Sequence, residues 1–383
     1  MAMKIPKIVW AMAHVDEAYL EEAMDRGDRS WQRWAALAAC LALVIGLTAA
    51  LWPKASPLPE LPSLTISRSQ GGSGYEGYSV MDISELTTGN PWQQVQGDTL
   101  PVYRNVLSWT AHHELSGDDP AAIKAFLLEL AGRLGLTEAD LEISDDRDEH
   151  DPPREWGMRA EGGNASFLVY MDRDAQVLFT PDEPLPDSIR SLDESSYEAM
   201  EQAAAWFVET YANLLDMEDP QICIEGGSYN IYAVQRYSIR IYDRGATAEE
   251  SMMNYFFRYV TVALNHDDGE ILLRYQDTDL SQKLGDYPII SEKEARKMLK
   301  NGNSITSTGY TLTGKEKIGR VDIVYRVGPY TVDYLPYYRF LVELPQEHFG
   351  HNNGTKTYGA YYVPAVNMAY LPDVTLWNGT FNQ

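Results

Sequence analysis

The feature that most constrains this chain is an uninterrupted apolar segment near its N-terminus. Residues 34–52 read WAALAACLALVIGLTAALW and contain no charged side chain. As an α-helix at ~1.5 Å per residue, the segment would be roughly 28 Å long, close to the thickness of a bilayer's hydrocarbon core. Indole rings and cations favour the membrane interface. The segment therefore predicts a transmembrane helix, with four interface anchors at its ends: Arg33, Trp34, Trp52 and Lys54.

Basic residues are placed unevenly on the two sides of this segment. Arg26, Arg29 and Arg33 precede it closely, whereas Lys54 is the nearby cation that follows it. The positive-inside tendency therefore predicts a cytoplasmic N-terminus, an extracytoplasmic C-terminal region and contact with the lipid bilayer through residues 34–52. Two alternatives stay open, lipidation at Cys40 and a cleaved secretory signal. The long polar lead before the segment favours an uncleaved anchor over both.

Acidic residues dominate the rest of the chain. Its 383 residues include 31 Lys and Arg against 56 Asp and Glu, a net charge of −25. Such a chain repels polyphosphate, so no nucleic-acid partner is predicted. The two cysteines, Cys40 and Cys223, are too few for a disulfide scaffold. The 25 Tyr and 9 Trp supply enough apolar surface for a folded core.

Helical patterns and extended, period-2 segments alternate irregularly after a Pro- and Gly-rich stretch. Helices are predicted near Pro120, at Ser195 and at Ser291, the last two with a capping-box glutamate. Tight turns at 172–174 and 268–269 predict hairpins. The pattern favours an α+β fold of antiparallel sheets, each packed with a helix, preceded by one transmembrane helix. The predicted segments are a cytoplasmic tail (1–33), the transmembrane helix (34–52), a linker (53–97) and three α+β units (98–190, 191–285 and 286–383).

Several short sequences resemble a known group of proteins. They are the start of the predicted transmembrane segment, Arg33–Cys40, and the residues that lead into the helix predicted at Ser291, Tyr287–Ser291. The others are the predicted strand segments Pro336–Phe340, Val342–Leu344 and Tyr358–Val366. Together they resemble the extracytoplasmic domains of single-pass membrane proteins common in gut Clostridia and related Firmicutes. These helix-plus-hairpin units are similar to PepSY-type modules and to accessory proteins of cell-wall two-component systems. The resemblance implies a regulatory role and transfers no ligand residues to this chain.

Catalytic and metal-binding constellations are near misses in this sequence. Residues 309–315, GYTLTGK, have the spacing of a phosphate-binding loop, but Glu316 follows where Mg²⁺ coordination needs Ser or Thr. We expect a loop or hairpin turn there. His348 and His351 have a suitable spacing for a metal, yet no Cys or carboxylate pair is nearby in the sequence. No catalytic residue, metal or cofactor is therefore predicted, and the chain is not predicted to be an enzyme.

Tyrosines are concentrated towards the C-terminus. Tyrosine suits half-buried strands, and it also suits binding surfaces because it offers a large amphipathic contact at small entropic cost. The pattern favours the first interpretation. The second predicts a peptide- or glycan-binding surface formed by Tyr334, Tyr337, Tyr338, Tyr358, Tyr361 and Tyr362.

These observations predict a membrane protein whose extracytoplasmic region binds a ligand or a protein. Its role would be sensory or regulatory, with a signal relayed to a membrane or cytoplasmic signalling partner through the single helix. A cell-wall hydrolase of unfamiliar type and a passive structural protein of the envelope are the alternatives. The sequence does not specify the ligand.

Overall fold

Short strands dominate the structure, a computed structural model that describes residues 58–66, 76–87, 90, 97–107, 120–147, 156–265, 269–328, 331–345 and 354–372. About 40% of these residues lie in strands and 24% in helices. The α-helices among them are α1 (Pro120–Arg133), α2 (Asp187–Arg190), α3 (Tyr197–Thr210), α4 (Ala212–Leu215), α5 (Ala248–Phe257) and α6 (Glu292–Lys300).

The strands of the described residues are numbered in chain order. They are β1 (Gly77–Val80), β2 (Thr99–Arg104), β3 (Glu142–Arg147), β4 (Trp156–Gly162), β5 (Ala165–Tyr170), β6 (Ala175–Phe179), β7 (Pro220–Tyr229), β8 (Gln235–Asp243), β9 (Arg258–Asn265), β10 (Glu270–Asp277), β11 (Lys283–Pro288), β12 (Ile305–Thr306), β13 (Ile318–Tyr325), β14 (Asp333–Tyr334), β15 (Pro336–Glu343) and β16 (Lys356–Pro364).

The largest sheet has eight antiparallel strands in the order β3-β4-β5-β6-β10-β9-β8-β7. Residues of β5 and β6 alternate between buried and partly exposed, which is typical of a sheet with one covered face. In the turn between them, Arg173 has a φ of 67°, and its N–H donates to the Tyr170 carbonyl (2.9 Å). The predicted hairpin turn at 172–174 is confirmed.

Helices α1 and α3 pack against one face of this eight-stranded sheet. We call the region between these helices and the sheet the aliphatic core, because its fully buried side chains include Ile123, Leu127, Ile239 and Ile271. The predicted helix start at Ser195 is displaced by one residue. The Ser195 hydroxyl instead donates to Asp193 Oδ1 (2.6 Å), and Ser196 becomes the N-cap of α3.

A second sheet, the C-terminal sheet, has the order β1-β16-β15-β13, with β12 also paired to β16. Most residues of β15 and β16 are buried on both faces. Its edge strand β1 comes from a distant part of the sequence and pairs with β16, placing Gly77 opposite Gly359. The third sheet is β11-β2-β14. The core around the C-terminal sheet and helix α5 is the aromatic core, since tyrosine and phenylalanine are its largest buried side chains.

Buried tyrosine hydroxyls attach distant segments to the aromatic core. Tyr370 donates to the Pro59 carbonyl, Tyr287 to the Pro62 carbonyl and Tyr325 to the Pro101 carbonyl, each at 2.8 Å. The Leu64 side chain is buried, and its N–H donates to the Tyr370 carbonyl (2.7 Å). Residues 59–66, which belong to the segment predicted as a linker, therefore pack against this core.

The predicted fold class, α+β with a helix packed on each sheet after a transmembrane helix, was wrong. The chain forms mostly antiparallel β-sheets, because strands such as β1 and β2 pair with remote strands rather than with the nearest helix-and-hairpin unit. Among the described residues, no helix is sufficiently long and apolar to cross a bilayer. The membrane prediction is thus not supported. Segment 34–52 itself lies outside the described residues.

Candidate functional site

The six tyrosines predicted as a binding surface are buried. Their exposed fractions are 3% for Tyr334, 2% for Tyr337, 7% for Tyr338, 2% for Tyr358, 2% for Tyr361 and 5% for Tyr362. Several of their hydroxyls form hydrogen bonds inside the protein. Tyr338 donates to the Ile290 carbonyl and Tyr361 to the Tyr310 carbonyl, both at 2.8 Å. These rings fill the aromatic core and do not form an exposed groove, so the prediction of a tyrosine surface is corrected.

Other predicted positions cannot be placed. The interface anchors Arg33, Trp34, Trp52 and Lys54 lie outside the described residues, as do His348 and His351. Within the described part of the chain, no group of three or more His, Cys, Asp or Glu side chains could hold a metal ion.

The loop that mimics a phosphate-binding sequence is organised by its own carboxylate. The Thr313 N–H and hydroxyl both donate to Glu316 Oε1 (2.7 Å each), and the Gly314 N–H donates to Oε2 (2.9 Å). Two of the backbone N–H groups that a phosphate would need, those of Thr313 and Gly314, are therefore already satisfied. Burial raises the pKa of Glu316, but these hydrogen bonds outweigh burial and lower the pKa to about 2. Glu316 thus stays charged and holds the loop at neutral pH.

A pocket of about 470 Å³ lies beside this loop. The loop forms part of its wall, and the end of β15 and the start of β16 form another part. Two ammonium groups and two carboxylates are among the lining residues, which are Tyr310, Thr313, Lys315, Glu316, Glu343, Leu344, Pro345 and Lys356. No Ser, Cys or His belongs to this described lining.

The charged groups of the pocket differ in how firmly they are held. Lys356 Nζ lies 3.7 Å from Glu343 Oε2, and their side chains are 41% and 28% exposed. Glu343 Oε2 also accepts a long hydrogen bond from the Tyr358 hydroxyl (3.4 Å). Burial, together with the Glu343 carboxylate, raises the pKa of Tyr358 to about 12. Lys315 is exposed at the rim and forms no ion pair with a described residue.

Sequence reasoning considered Lys315 and Glu316 only as a failed nucleotide motif. It did not connect them with Glu343 and Lys356, which lie further along the chain and join the same pocket only through the pairing of β15 with β16. The one local signal was Glu316 itself. A glutamate two or three residues after Thr313 and Gly314 can cap their N–H groups, as it does here.

The arrangement suits non-covalent recognition of charged groups on a polar ligand. The fold and the site together define a β-rich protein with a mixed-charge surface pocket. Comparison of the chain with protein families, with curated proteins and with solved structures finds no match. The resemblance to PepSY-type modules therefore stays a prediction.

Proposed function

We propose that this protein is a binding protein for short zwitterionic peptides, with the pocket beside Glu316 as its site. The observation that carries the proposal is the convergence of Lys315, Lys356 and Glu343 on one pocket. Opposite charges within one small concavity match a ligand that carries both a carboxylate and an ammonium group.

The size of the pocket supports this ligand class. Pockets that bind small molecules have volumes of roughly 300–1,000 Å³, and this pocket measures about 470 Å³. A peptide of a few small residues fits such a volume. Leu344 and Pro345 supply an apolar part of the lining for its side chains.

The hydrogen bonding in the pocket indicates which groups are available to the ligand. Glu316 is engaged by its own loop, so Glu343 is the carboxylate that can accept from a ligand ammonium group. The 3.7 Å pair between Lys356 and Glu343 is long and partly exposed, and such pairs contribute little stability. A ligand can therefore exchange with this pair, placing its carboxylate at Lys315 and Lys356 and its ammonium group at Glu343.

The fixed loop favours binding without a large rearrangement. Three hydrogen bonds from Thr313 and Gly314 to Glu316 hold the loop in place before any ligand arrives. Preorganisation of this kind lowers the entropic cost of binding.

Isothermal titration calorimetry with trialanine tests the proposal. The full chain is titrated with free trialanine, with N-acetyl-trialanine and with trialanine amide. We expect the free peptide to bind most tightly, and each blocked peptide to lose about tenfold in affinity because one charge-assisted hydrogen bond is removed. Lys315→Met should lower the affinity for free trialanine more than the affinity for trialanine amide, because the amide lacks the carboxylate that Lys315 contacts.

Lys317→Met is the matched control, because Lys317 is an exposed lysine two residues away that does not line the pocket. Trialanine should bind this variant as it binds the unmodified chain. Equal affinities for the free and both blocked peptides, or no binding at all, would refute the proposal.

A further inference from the structure

The wall of the pocket beside Glu316 contains one aromatic ring. Among the described lining residues, that ring belongs to Tyr310, which is half-buried. Tyr310 stands at the start of the loop that Glu316 organises. A half-buried aromatic side chain in a concave, water-accessible wall is a common contact for a ligand, so we ask how this ring is held and what it can select.

Hydrogen bonds to the backbone of Tyr310 attach it to the aromatic core. Its N–H donates to Thr308 Oγ1 (3.3 Å), and its carbonyl accepts from the Tyr361 hydroxyl (2.8 Å). The Thr308 hydroxyl in turn donates to the Tyr361 hydroxyl (3.0 Å). Thr308 and Tyr361 are both buried. The position of Tyr310 is therefore set by the core before any ligand binds.

The hydroxyl of Tyr310 is directed to the loop's own carboxylate. It donates a long hydrogen bond to Glu316 Oε1 (3.3 Å), the same oxygen that accepts from Thr313. This contact fixes the far end of the side chain as well as its backbone. A ligand in the pocket would then meet the ring of Tyr310 rather than its hydroxyl.

A close approach at Gly359 brings a second apolar part of the lining near the segment that carries Tyr310. A Cβ atom on Gly359 would lie 2.6 Å from Thr308 Cγ2 and 3.0 Å from Leu344 Cδ1. Thr308 and Leu344 thus converge on one point of β16. Leu344 is itself held by the hydrogen bond from its N–H to the Thr357 carbonyl (2.8 Å). The ring and the aliphatic lining are therefore both fixed.

We infer, on the basis of the proposed function, that Tyr310 is a specificity-determining residue and that the peptide ligand carries an aromatic side chain. The charged groups of the pocket bind the two ends of the peptide, which leaves the ring to discriminate between side chains. Two aromatic rings in offset or edge-to-face contact gain attraction beyond the burial of their area. An aliphatic side chain of the same size gains the burial alone. Because the Tyr310 ring is fixed in advance, little of this gain is lost to ordering.

Isothermal titration calorimetry of the full chain with two matched peptides tests the inference. Alanyl-phenylalanyl-alanine is compared with the same tripeptide in which cyclohexylalanine replaces phenylalanine, so that size and end groups are kept and the aromatic ring is lost. We expect the phenylalanine peptide to bind about fivefold more tightly. Tyr310→Leu should lower this ratio of affinities to about one, whereas Tyr310→Phe keeps the ring and should keep the ratio.

Tyr232→Leu is the matched control, because Tyr232 is 79% exposed in the turn between β7 and β8 and does not line the pocket. Its ratio should equal that of the unmodified chain. Equal binding of the two peptides to the unmodified chain, or an unchanged ratio in Tyr310→Leu, would overturn this inference. If free trialanine still bound more tightly than its blocked forms, the proposed function would stand. If no free peptide bound at all, the proposed function would fail and this inference with it.

Discussion

The aliphatic core and the aromatic core are built from different kinds of contact. In the aliphatic core, alternating strands joined by hairpins meet the apolar faces of α1 and α3. In the aromatic core, tyrosines bury both a ring and a hydroxyl, and the Asp322–Arg339 pair lies within the sheet. Every buried polar group there needs a particular partner. The aromatic core therefore depends on specific pairs, whereas the aliphatic core depends mainly on volume and area.

The largest effect should come from the buried ion pair. Asp322→Asn leaves the buried Arg339 guanidinium without its counter-charge beside Arg320, and we expect a loss of about 3 kcal/mol in the free energy of unfolding, measured by urea denaturation. Asp146→Asn is the matched control, because its pair with Arg159 (3.3 Å) is exposed and should change stability by less than about 0.5 kcal/mol. Similar losses for both variants would mean that the buried ion pair of the C-terminal sheet stabilises the fold no more than the exposed pair of the eight-stranded sheet.

A compensating pair of substitutions sharpens this result. Asp322→Leu with Arg339→Met replaces the ion pair by apolar side chains of similar size. Such replacements are often neutral or stabilising, so the double variant should recover most of the stability that Asp322→Asn loses. A double variant as unstable as the single one would argue that the pair contributes more than mutual charge compensation.

In the aliphatic core, the free energy of unfolding should depend on side-chain volume and not on specific polar pairs. Leu127→Ala removes a fully buried side chain of α1, and we expect a loss of about 2–3 kcal/mol in urea denaturation. Leu127→Met keeps the volume and should cost less than about 1.5 kcal/mol. If the Met variant were as destabilised as the Ala variant, shape-specific packing would matter here as well.

Local physics made several elements of both regions predictable. The capping box at Ser291 and Glu294 does begin α6, and Gly135 takes a left-handed φ of 76° just after α1. The turns at 172–174 and near Gly269 join paired strands as predicted. These features depend on residues within a few positions of each other, so their causes are visible in the sequence.

The fold class and the site were not predictable in the same way. A period-2 pattern shows that a strand has two faces but not which strand pairs with it, so the pairing of β1 with β16 left no local signal. Residues 254–257 include three aromatic side chains, a composition that suits a strand by propensity. They end helix α5 instead, which Thr247 caps and the acidic first turn favours. The pocket likewise joins groups that only long-range pairing brings together.

The boundary between the two regions should be sensitive to pH. Asp174 accepts a hydrogen bond from Gln276 Nε2 (2.5 Å). Burial, with Asp172 and Asp277 nearby, raises its pKa to about 8. A carboxyl whose pKa is higher in the folded than in the unfolded state stabilises the fold below the unfolded pKa, and this contribution is lost as the pH rises through the folded pKa.

Asp174→Asn should remove this pH dependence. It keeps a neutral acceptor for Gln276, so its stability relative to the unmodified chain should rise with pH between pH 4 and pH 8, by at most about 1.4 kcal/mol per pH unit. Urea denaturation at several pH values measures the difference. Asp187→Asn, at a highly exposed position, should follow the unmodified chain throughout. A constant difference across this range would contradict the raised pKa.

The smallest effect should come from a single tyrosine hydroxyl of the aromatic core. Tyr287→Phe keeps the buried ring but leaves the Pro62 carbonyl without its 2.8 Å donor, and we expect a loss of about 1 kcal/mol in the free energy of unfolding. Because Pro62 belongs to segment 59–66, hydrogen exchange at Leu64 should accelerate more than exchange in β5. Tyr197→Phe, at a ring 42% exposed, is the control and should change neither. Uniform acceleration in both regions would show that the hydroxyl supports the whole fold rather than the attachment of that segment.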